Sequence, residues 1–219
     1  MTAGSNFDWD DIKKFLGNRL PKFQNAVACL VSAVLLPIAT VNGELQVLFE
    51  VRAEHLKRQP GEICFPGGMV EECELNNPQE AAIREATEEL GLAREQIDLI
   101  GPLDYFISPS GALIYPYVGK IAGPEQIAPS SSEVGEVFWV PLAYFANNPP
   151  YCSNVEVATR FAEDFPFHLV PQSYRKGWRI RGVSPVYFYQ YNQRIIWGVT
   201  AGILYNYINL SGKIWSCNR

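Results

Sequence analysis

Cysteine is sparse in this chain and follows no pattern. Its five copies, at positions 29, 64, 73, 152 and 217, are odd in number, scattered, and form no CxxC pair. This speaks against a zinc site or a disulfide framework, and the thiols read as buried or free in a reducing compartment. No uninterrupted apolar run reaches about 18 residues, so no transmembrane helix is expected. Positive charge is not in excess: 18 Lys and Arg against 23 Asp and Glu leave a formal charge of -5, which argues against a general nucleic-acid binder. The N-terminal stretch MTAGSNFDWDDIKK carries acids where a secretory signal would be basic and then apolar. A cytoplasmic protein is expected. Internal repeats and low-complexity tracts are lacking as well. Histidine occurs only twice. His168 reads as structural or exposed, and His55, although inside a basic segment, as a surface residue.

What is present suffices for a core. With 47% hydrophobic residues over 219 positions, one domain is expected, with an N-terminal helical extension over 1–24 and the main domain over 25–219. Within Asp8 to Leu20, Ile12, Phe15, Leu16 and Leu20 recur at helical spacing, which predicts an amphipathic helix packed onto the domain. Ala26 to Thr40 reads as a buried strand, and Asn42-Gly43 as a hairpin turn. Leu45, Val47, Phe49 and Val51 alternate with Gln46, Glu50 and Arg52, the pattern of a strand with one polar face. Two strands are predicted in Ile97 to Ile107 and Ala112 to Ile121, around Ser108-Pro109-Ser110-Gly111, and another over Val137 to Val140. From Ala146 to Arg181, NNPP and several aromatics suggest irregular structure over a core or pocket. A closing hairpin (Val186 to Gln190, Arg194 to Trp197) and a final helix (Thr200 to Leu210) follow. These patterns alone support α/β or α+β.

The most informative stretch is GGMVEECELNNPQEAAIREATEELGL, Gly67 to Leu92. Asn77 suits an N-cap, Pro78 the first helical position, and Glu80 the third position of a capping box. Ile83, Ala86 and Leu90 form an apolar stripe, and Gly91 suits a left-handed stop. A helix over Pro78 to Leu90 follows. It sets Glu85, Glu88 and Glu89 at i, i+3 and i+4, on one face. Like charges at that spacing repel. They make sense around a divalent cation, where oxygen ligands suit Mg²⁺ or Mn²⁺; otherwise they are a solvated acidic face. Arg84 is the adjacent cation that could hold a carboxylate in place.

This segment resembles the Nudix box: a Gly, five residues, a Glu, seven residues, then Arg-Glu-aliphatic-x-Glu-Glu-x-Gly-aliphatic. Gly68, Glu74 and the run Arg84 to Leu92 fall on it, with Ala86 in the aliphatic slot. Nine residues, not seven, separate Glu74 from Arg84, a departure that spares the helix and leaves Glu74 without an assigned role. Upstream, LFEVRAEHLKRQPGEICFPGG is similar to a second motif, Leu-Leu-Thr-x-Arg-(Ser/Ala)-x3-Arg-x3-Gly-x3-Phe-Pro-Gly-Gly, of the coenzyme A diphosphatase branch. Leu48, Arg52, Ala53, Gly61, Phe65, Pro66, Gly67 and Gly68 match it; Phe49 and Glu50 replace Leu and Thr, and Lys57 replaces the second Arg, keeping charge but losing the bidentate fork. Ile196-Trp197-Gly198-Val199-Thr200-Ala201 resembles the branch's C-terminal Trp-Gly-x-Thr-Ala passage.

The resemblance implies an α/β/α sandwich around a mixed sheet, with a loop-helix-loop catalytic motif. It implies a diphosphatase that hydrolyses coenzyme A or a derivative to adenosine 3',5'-bisphosphate and 4'-phosphopantetheine. Mg²⁺ or Mn²⁺ would be held by Glu85, Glu88, Glu89 and the Gly68 carbonyl, with Arg84 orienting the cluster. Glu133, in the loop before the strand at Val137, would act as base or further ligand, with Glu136 second. Arg52, Lys57, Phe65 and Gly67 would contact substrate. The expected partner is a small nucleotide-like molecule, with a homodimer left open and neither nucleic acid nor membrane. Two other readings are a Nudix hydrolase of ADP-ribose or another nucleotide, and a Nudix-fold module that binds a nucleotide without cleaving it.

Overall fold

The computed structural model describes residues 8–17, 31–174 and 176–216. Asn42 and Gly43 adopt φ of 52° and 83°, the left-handed pair that a two-residue hairpin turn requires. They join β1 (Val31–Val41) to β2 (Glu44–Arg52), which pair only near the turn, from Ile38↔Val47 to Val41↔Glu44. Beyond that the two strands part. The gap is filled by β3 (Ile63–Cys64), which pairs with β2, and β4 (Gly67–Met69), which pairs with β1. The Arg52 N–H donates to the Glu62 carbonyl at 2.9 Å, the Leu35 N–H to that of Pro66 at 2.9 Å, and the Val70 N–H to that of Val31 at 3.0 Å. The Gly67-Gly68 segment is thereby fixed inside the sheet.

The sheet is completed by β5 (Ile97–Pro102), β6 (Phe106–Ile107), β7 (Leu113–Ile121) and β8 (Val134–Pro141). Strand β7 runs parallel to β1 and antiparallel to β5, while β8 runs antiparallel along β2. The eight-stranded sheet is therefore mixed, and β2 lies in its interior. Both faces are covered. Leu35 and Leu48 pack with Ala82, Ala86 and Leu90 on one side; Leu36, Val47 and Phe49 pack with Phe145, Ala201 and Leu204 on the other. Burying one such side chain contributes roughly 2 kcal/mol, and the double cover explains why Val47, Leu48 and Phe49 are all buried in succession.

Four helices are described. The first, α1 (Trp9–Leu16), is capped by Asp8, whose carboxylate accepts from the Asp10 and Asp11 N–H groups at 2.9 Å. All its residues are exposed, Trp9 at 77%, so the expected packing of its apolar stripe onto the domain is not observed. Residues 18–30, including Leu20 and the start of the strand expected from Ala26, lie outside the described residues. Helix α2 (Pro78–Leu90) covers one sheet face, and α3 (Leu142–Asn147) and α4 (Gly198–Ser216) cover the other, in the α/β/α layering anticipated from the resemblance.

The reading of 146–181 as irregular is corrected. β9 (Tyr151–Arg160) and β10 (Trp178–Tyr191) form a long antiparallel ribbon, extended by β11 (Arg194–Trp197) into a three-stranded sheet. Most β9 residues are exposed on both faces, so no apolar period marks the strand. The aromatics do gather, but at the ribbon's far end, where Phe161 and Phe165 lie 4.1 Å apart beside Phe167 and Tyr174. The closing hairpin and final helix stand where the pattern put them.

Candidate active site

The acidic helix starts and stops as its sequence suggests, with one correction. Pro78 begins it and Gly91 ends it with φ 65°, but Asn77 makes no side-chain cap. Glu80 instead pairs with Arg94 at 2.9 Å, so no capping box forms there. Ala82, Ala86 and Leu90 are buried against the sheet, which leaves Glu85 and Glu89 against β4 and Glu88 toward solvent.

Arg84 is the hub of this face. Its Nε donates to Glu74 Oε1 at 3.0 Å and its Nη2 to Glu74 Oε2 at 3.2 Å; Nη1 donates to Glu85 Oε1 at 2.8 Å, and Nη2 also reaches the Met69 carbonyl. Glu88 Oε2 lies 3.9 Å from Nη1, and its side chain is 62% exposed. Glu74, without a role from sequence spacing, is thus the carboxylate that grips Arg84. A short 3-10 turn, Glu72–Glu74, brings it there, and the Glu71 N–H steadies it through Oε2 at 2.9 Å. The Arg84 hydrogen bonds hold the Glu74 carboxyl below its ordinary range, despite opposing desolvation.

Glu89 is buried, and its Oε2 accepts the Gly67 N–H at 2.8 Å. Burial first, then the charge of Glu50, pushes its carboxyl well above the ordinary range. Glu85 is raised too, chiefly by burial, with Arg84 opposing. Gly68 stands so close that a Cβ there would lie 2.3 Å from Glu85 Oε1. Glu133 is exposed in the turn before β8; its carbonyl accepts the Ala53 N–H at 2.9 Å, and its charge acts on Glu50, Glu85 and Glu89. Glu136, the second candidate, pairs with Arg194.

One acid was not anticipated. Glu50 was expected on the polar face of β2, but that face is covered by α2, and Glu50 is 1% exposed. Its Oε1 accepts the Cys64 thiol at 3.2 Å, while Oε2 is buried and, among the described residues, has no hydrogen-bond partner. Burial raises the carboxyl, and Glu133 and Glu85 add to the effect against Cys64 and Arg52. The signal that could have found it is the charge itself, sitting in a run of strand residues long enough to be covered on both sides.

Beside this face lies a cavity of about 530 Å³. Arg52, Cys64, Phe65, Gly67 and Gly68 line it, together with the apolar side chains of Phe106, Val155, Val186, Trp197 and Ile203. Gly67 and Gly68 are the shared wall, since Glu85, Glu88 and Glu89 do not line the cavity themselves. The Trp197-to-Ala201 passage is tied to the same wall, Thr200 Oγ1 donating to the Ile63 carbonyl at 3.2 Å. Arg52 Nε reaches the Arg58 carbonyl at 3.4 Å. Lys57 is exposed and stands outside the lining. His55 is exposed, with Nε2 3.1 Å from the Ser132 carbonyl, and His168 is exposed near the ribbon's end.

Among the described residues, no three acidic, His or Cys side chains already converge at ion-holding distance. The donor set nevertheless fits a hard divalent cation: its side-chain donors are all carboxylate oxygens, and burial disfavours the charged forms of Glu85 and Glu89, a condition that added positive charge relieves.

Residues 31–155 match the NUDIX domain family. The chain is 38% identical over 136 residues to the peroxisomal coenzyme A diphosphatase NUDT7 of Mus musculus, and 36% identical over 132 residues to the peroxisomal coenzyme A diphosphatase ndx-8 of Caenorhabditis elegans. These matches cover 62% and 60% of the chain and 56% of each relative, so the chain spans a little over half the length of the curated relatives it matches there. It is also 31% identical over 182 residues to an uncharacterized Nudix hydrolase, NudL, of Pectobacterium atrosepticum, covering 83% of the chain and 80% of that protein. No described helix is long and apolar enough to cross a membrane. With the domain match running over more than half of its length and through the whole acidic helix, the chain belongs to the Nudix family.

Proposed function

We propose that this chain hydrolyses the diphosphate of coenzyme A or a coenzyme A derivative in a cation-dependent reaction. The observation that carries the reading is the shared Gly67-Gly68 wall. On one side stands the Arg84-ordered carboxylate face; on the other, a cavity lined by the cationic Arg52 and by several apolar side chains. A molecule with a diphosphate and a long, weakly polar arm is complementary to that layout. The relatives named as coenzyme A diphosphatases support the same choice.

Nudix hydrolases generally use divalent metal ions. Glu85, Glu88, Glu89 and the Gly68 carbonyl would hold Mg²⁺ or Mn²⁺, which supplies charge neutralisation at the diphosphate. Arg84 sets the position of Glu85 and, through it, of the face. Arg52 and Lys57 bind phosphate oxygens, Arg52 from the cavity wall and Lys57 from the exposed loop. Phe65 and Gly67 shape the wall. Glu133, solvent-facing and unobstructed, takes the proton of the attacking water. The water oxygen bonds to phosphorus, the bridging P–O bond breaks, and two phosphomonoesters leave: adenosine 3',5'-bisphosphate and 4'-phosphopantetheine. Residues 25–219 act as one catalytic unit in this reading, with 1–24 as an extension, in a cytoplasmic setting.

The test is hydrolysis of coenzyme A beside ADP-ribose and a dinucleotide, with Mg²⁺, Mn²⁺ or EDTA, products resolved by chromatography. Cation-dependent release of adenosine 3',5'-bisphosphate, fastest from coenzyme A, is expected, and Glu88→Gln or Glu89→Gln should lower it by about 100-fold. Faster cleavage of ADP-ribose or the dinucleotide would overturn the substrate. Nucleotide binding without cleavage would make the chain a binding module.

A further inference from the structure

We infer that Glu50 is an additional carboxylate of the cation site, beyond the three glutamates of α2. The related upstream motif has Thr at this position, where this chain has Glu.

Three observations support it. Strand alternation puts Leu48 and Glu50 on the same side of β2, and Leu48 packs into the α2 layer. Glu50 therefore faces the layer from which Glu85 and Glu89 project, and all three carboxylates act electrostatically on one another. Second, the side chain is buried to 1% exposure with Oε2 unpartnered among the described residues, an arrangement that a folded chain rarely leaves uncompensated. Third, its other oxygen is fixed by the Cys64 thiol across the β2–β3 pair, Glu50↔Cys64, which orients the carboxylate rather than leaving it to swing. Arg52, which lines the cavity, contributes charge that stabilises the Glu50 carboxylate. A cation held by Glu85 and Glu89 gives the free oxygen a partner. A Thr at position 50 would bring no charge to the site, so this chain should hold its cation more tightly than a Thr-bearing version of itself.

The inference rests on the reading of the α2 face as a cation site, and the experiment separates the two. Mn²⁺ alone is titrated into the full chain without substrate and followed by electron paramagnetic resonance, for the unaltered protein and for Glu50→Gln, Glu50→Thr and Glu89→Gln. Thermal melting is recorded with EDTA and with Mn²⁺. Both Glu50 variants are expected to bind Mn²⁺ about tenfold more weakly and to show a smaller Mn²⁺-induced rise in melting temperature, while melting in EDTA at the unaltered temperature or above. Glu50→Thr covers the case in which the Gln variant does not fold. Mn²⁺ affinity within twofold of the unaltered chain in a folded Glu50 variant, with Glu89→Gln weakened, would overturn the role of Glu50 and leave the cation site standing. Failure of the unaltered chain to bind Mn²⁺ would overturn both.

Discussion

Arg84 meets Glu74 as a fork meets a fork: Nε to Oε1 at 3.0 Å and Nη2 to Oε2 at 3.2 Å, with the carboxylate side chain only 11% exposed. Two parallel charge-assisted bonds fix both the position and the plane of the guanidinium. The remaining nitrogen is then free to hold Glu85 in place. Glu74 governs the acidic face without belonging to it.

Glu74→Gln should therefore cost about 1–2 kcal/mol of stability and slow hydrolysis about tenfold, through a displaced Arg84. The stability difference has a defined pH dependence. The folded-state pKa of Glu74 lies below 4.5, so its contribution is complete above that pH and is lost as pH falls through the folded value. Melting curves of both proteins should differ at neutral pH and converge in acid.

Glu50 and Glu89 have the opposite sign. Both are raised above 4.5, mainly by burial, so between 4.5 and neutrality the folded state binds more protons than the unfolded one. Stability must fall as pH rises through that window. Cation-free protein should melt at lower temperature at neutral pH than near pH 4.5, as far as these two groups dictate. Mg²⁺ should flatten the slope, because a bound cation replaces the protons. Melting in EDTA and in Mg²⁺ across this range checks it.

The two wall glycines should fail in different ways. A Cβ at Gly67 would meet the Ala33 carbonyl oxygen at 2.5 Å and Val34 Cα at 2.7 Å, both backbone atoms locked in β1. Gly67→Ala should destabilise the fold by about 2 kcal/mol, a fall of roughly 4–8 °C in melting temperature. A Cβ at Gly68 would meet the Glu85 carboxylate, which can move. Gly68→Ala should melt closer to the unaltered protein yet lose most cation affinity and turnover. Calorimetry and turnover on the same preparations separate the two effects.

What could be read from the sequence was local. The placement of Glu85, Glu88 and Glu89 on one face needs only the period of a helix. The turn at Asn42-Gly43 needs only two residues that tolerate positive φ. What could not be read depended on contacts between distant segments. The burial of Glu50 follows from α2 covering a strand face whose alternation looks solvent-facing. The role of Glu74 follows from the path of a loop, since counting residues to Arg84 says nothing of where a 3-10 turn doubles back. Strand β9 was illegible because pairing with β10, not burial, holds it extended. The α2 cap failed for a similar reason, as Glu80 found Arg94.

The Cys64 thiol lends its proton to Glu50, and burial raises it far above the ordinary thiol range. Only the thiolate is an effective nucleophile. Alkylating reagents should thus modify exposed Cys73 and Cys152 quickly and reach Cys64 slowly, although Cys64 lines the cavity. The chain carries a built-in chemical gauge: the rate at which Cys64 becomes labelled reports how firmly burial and Glu50 hold the thiol proton.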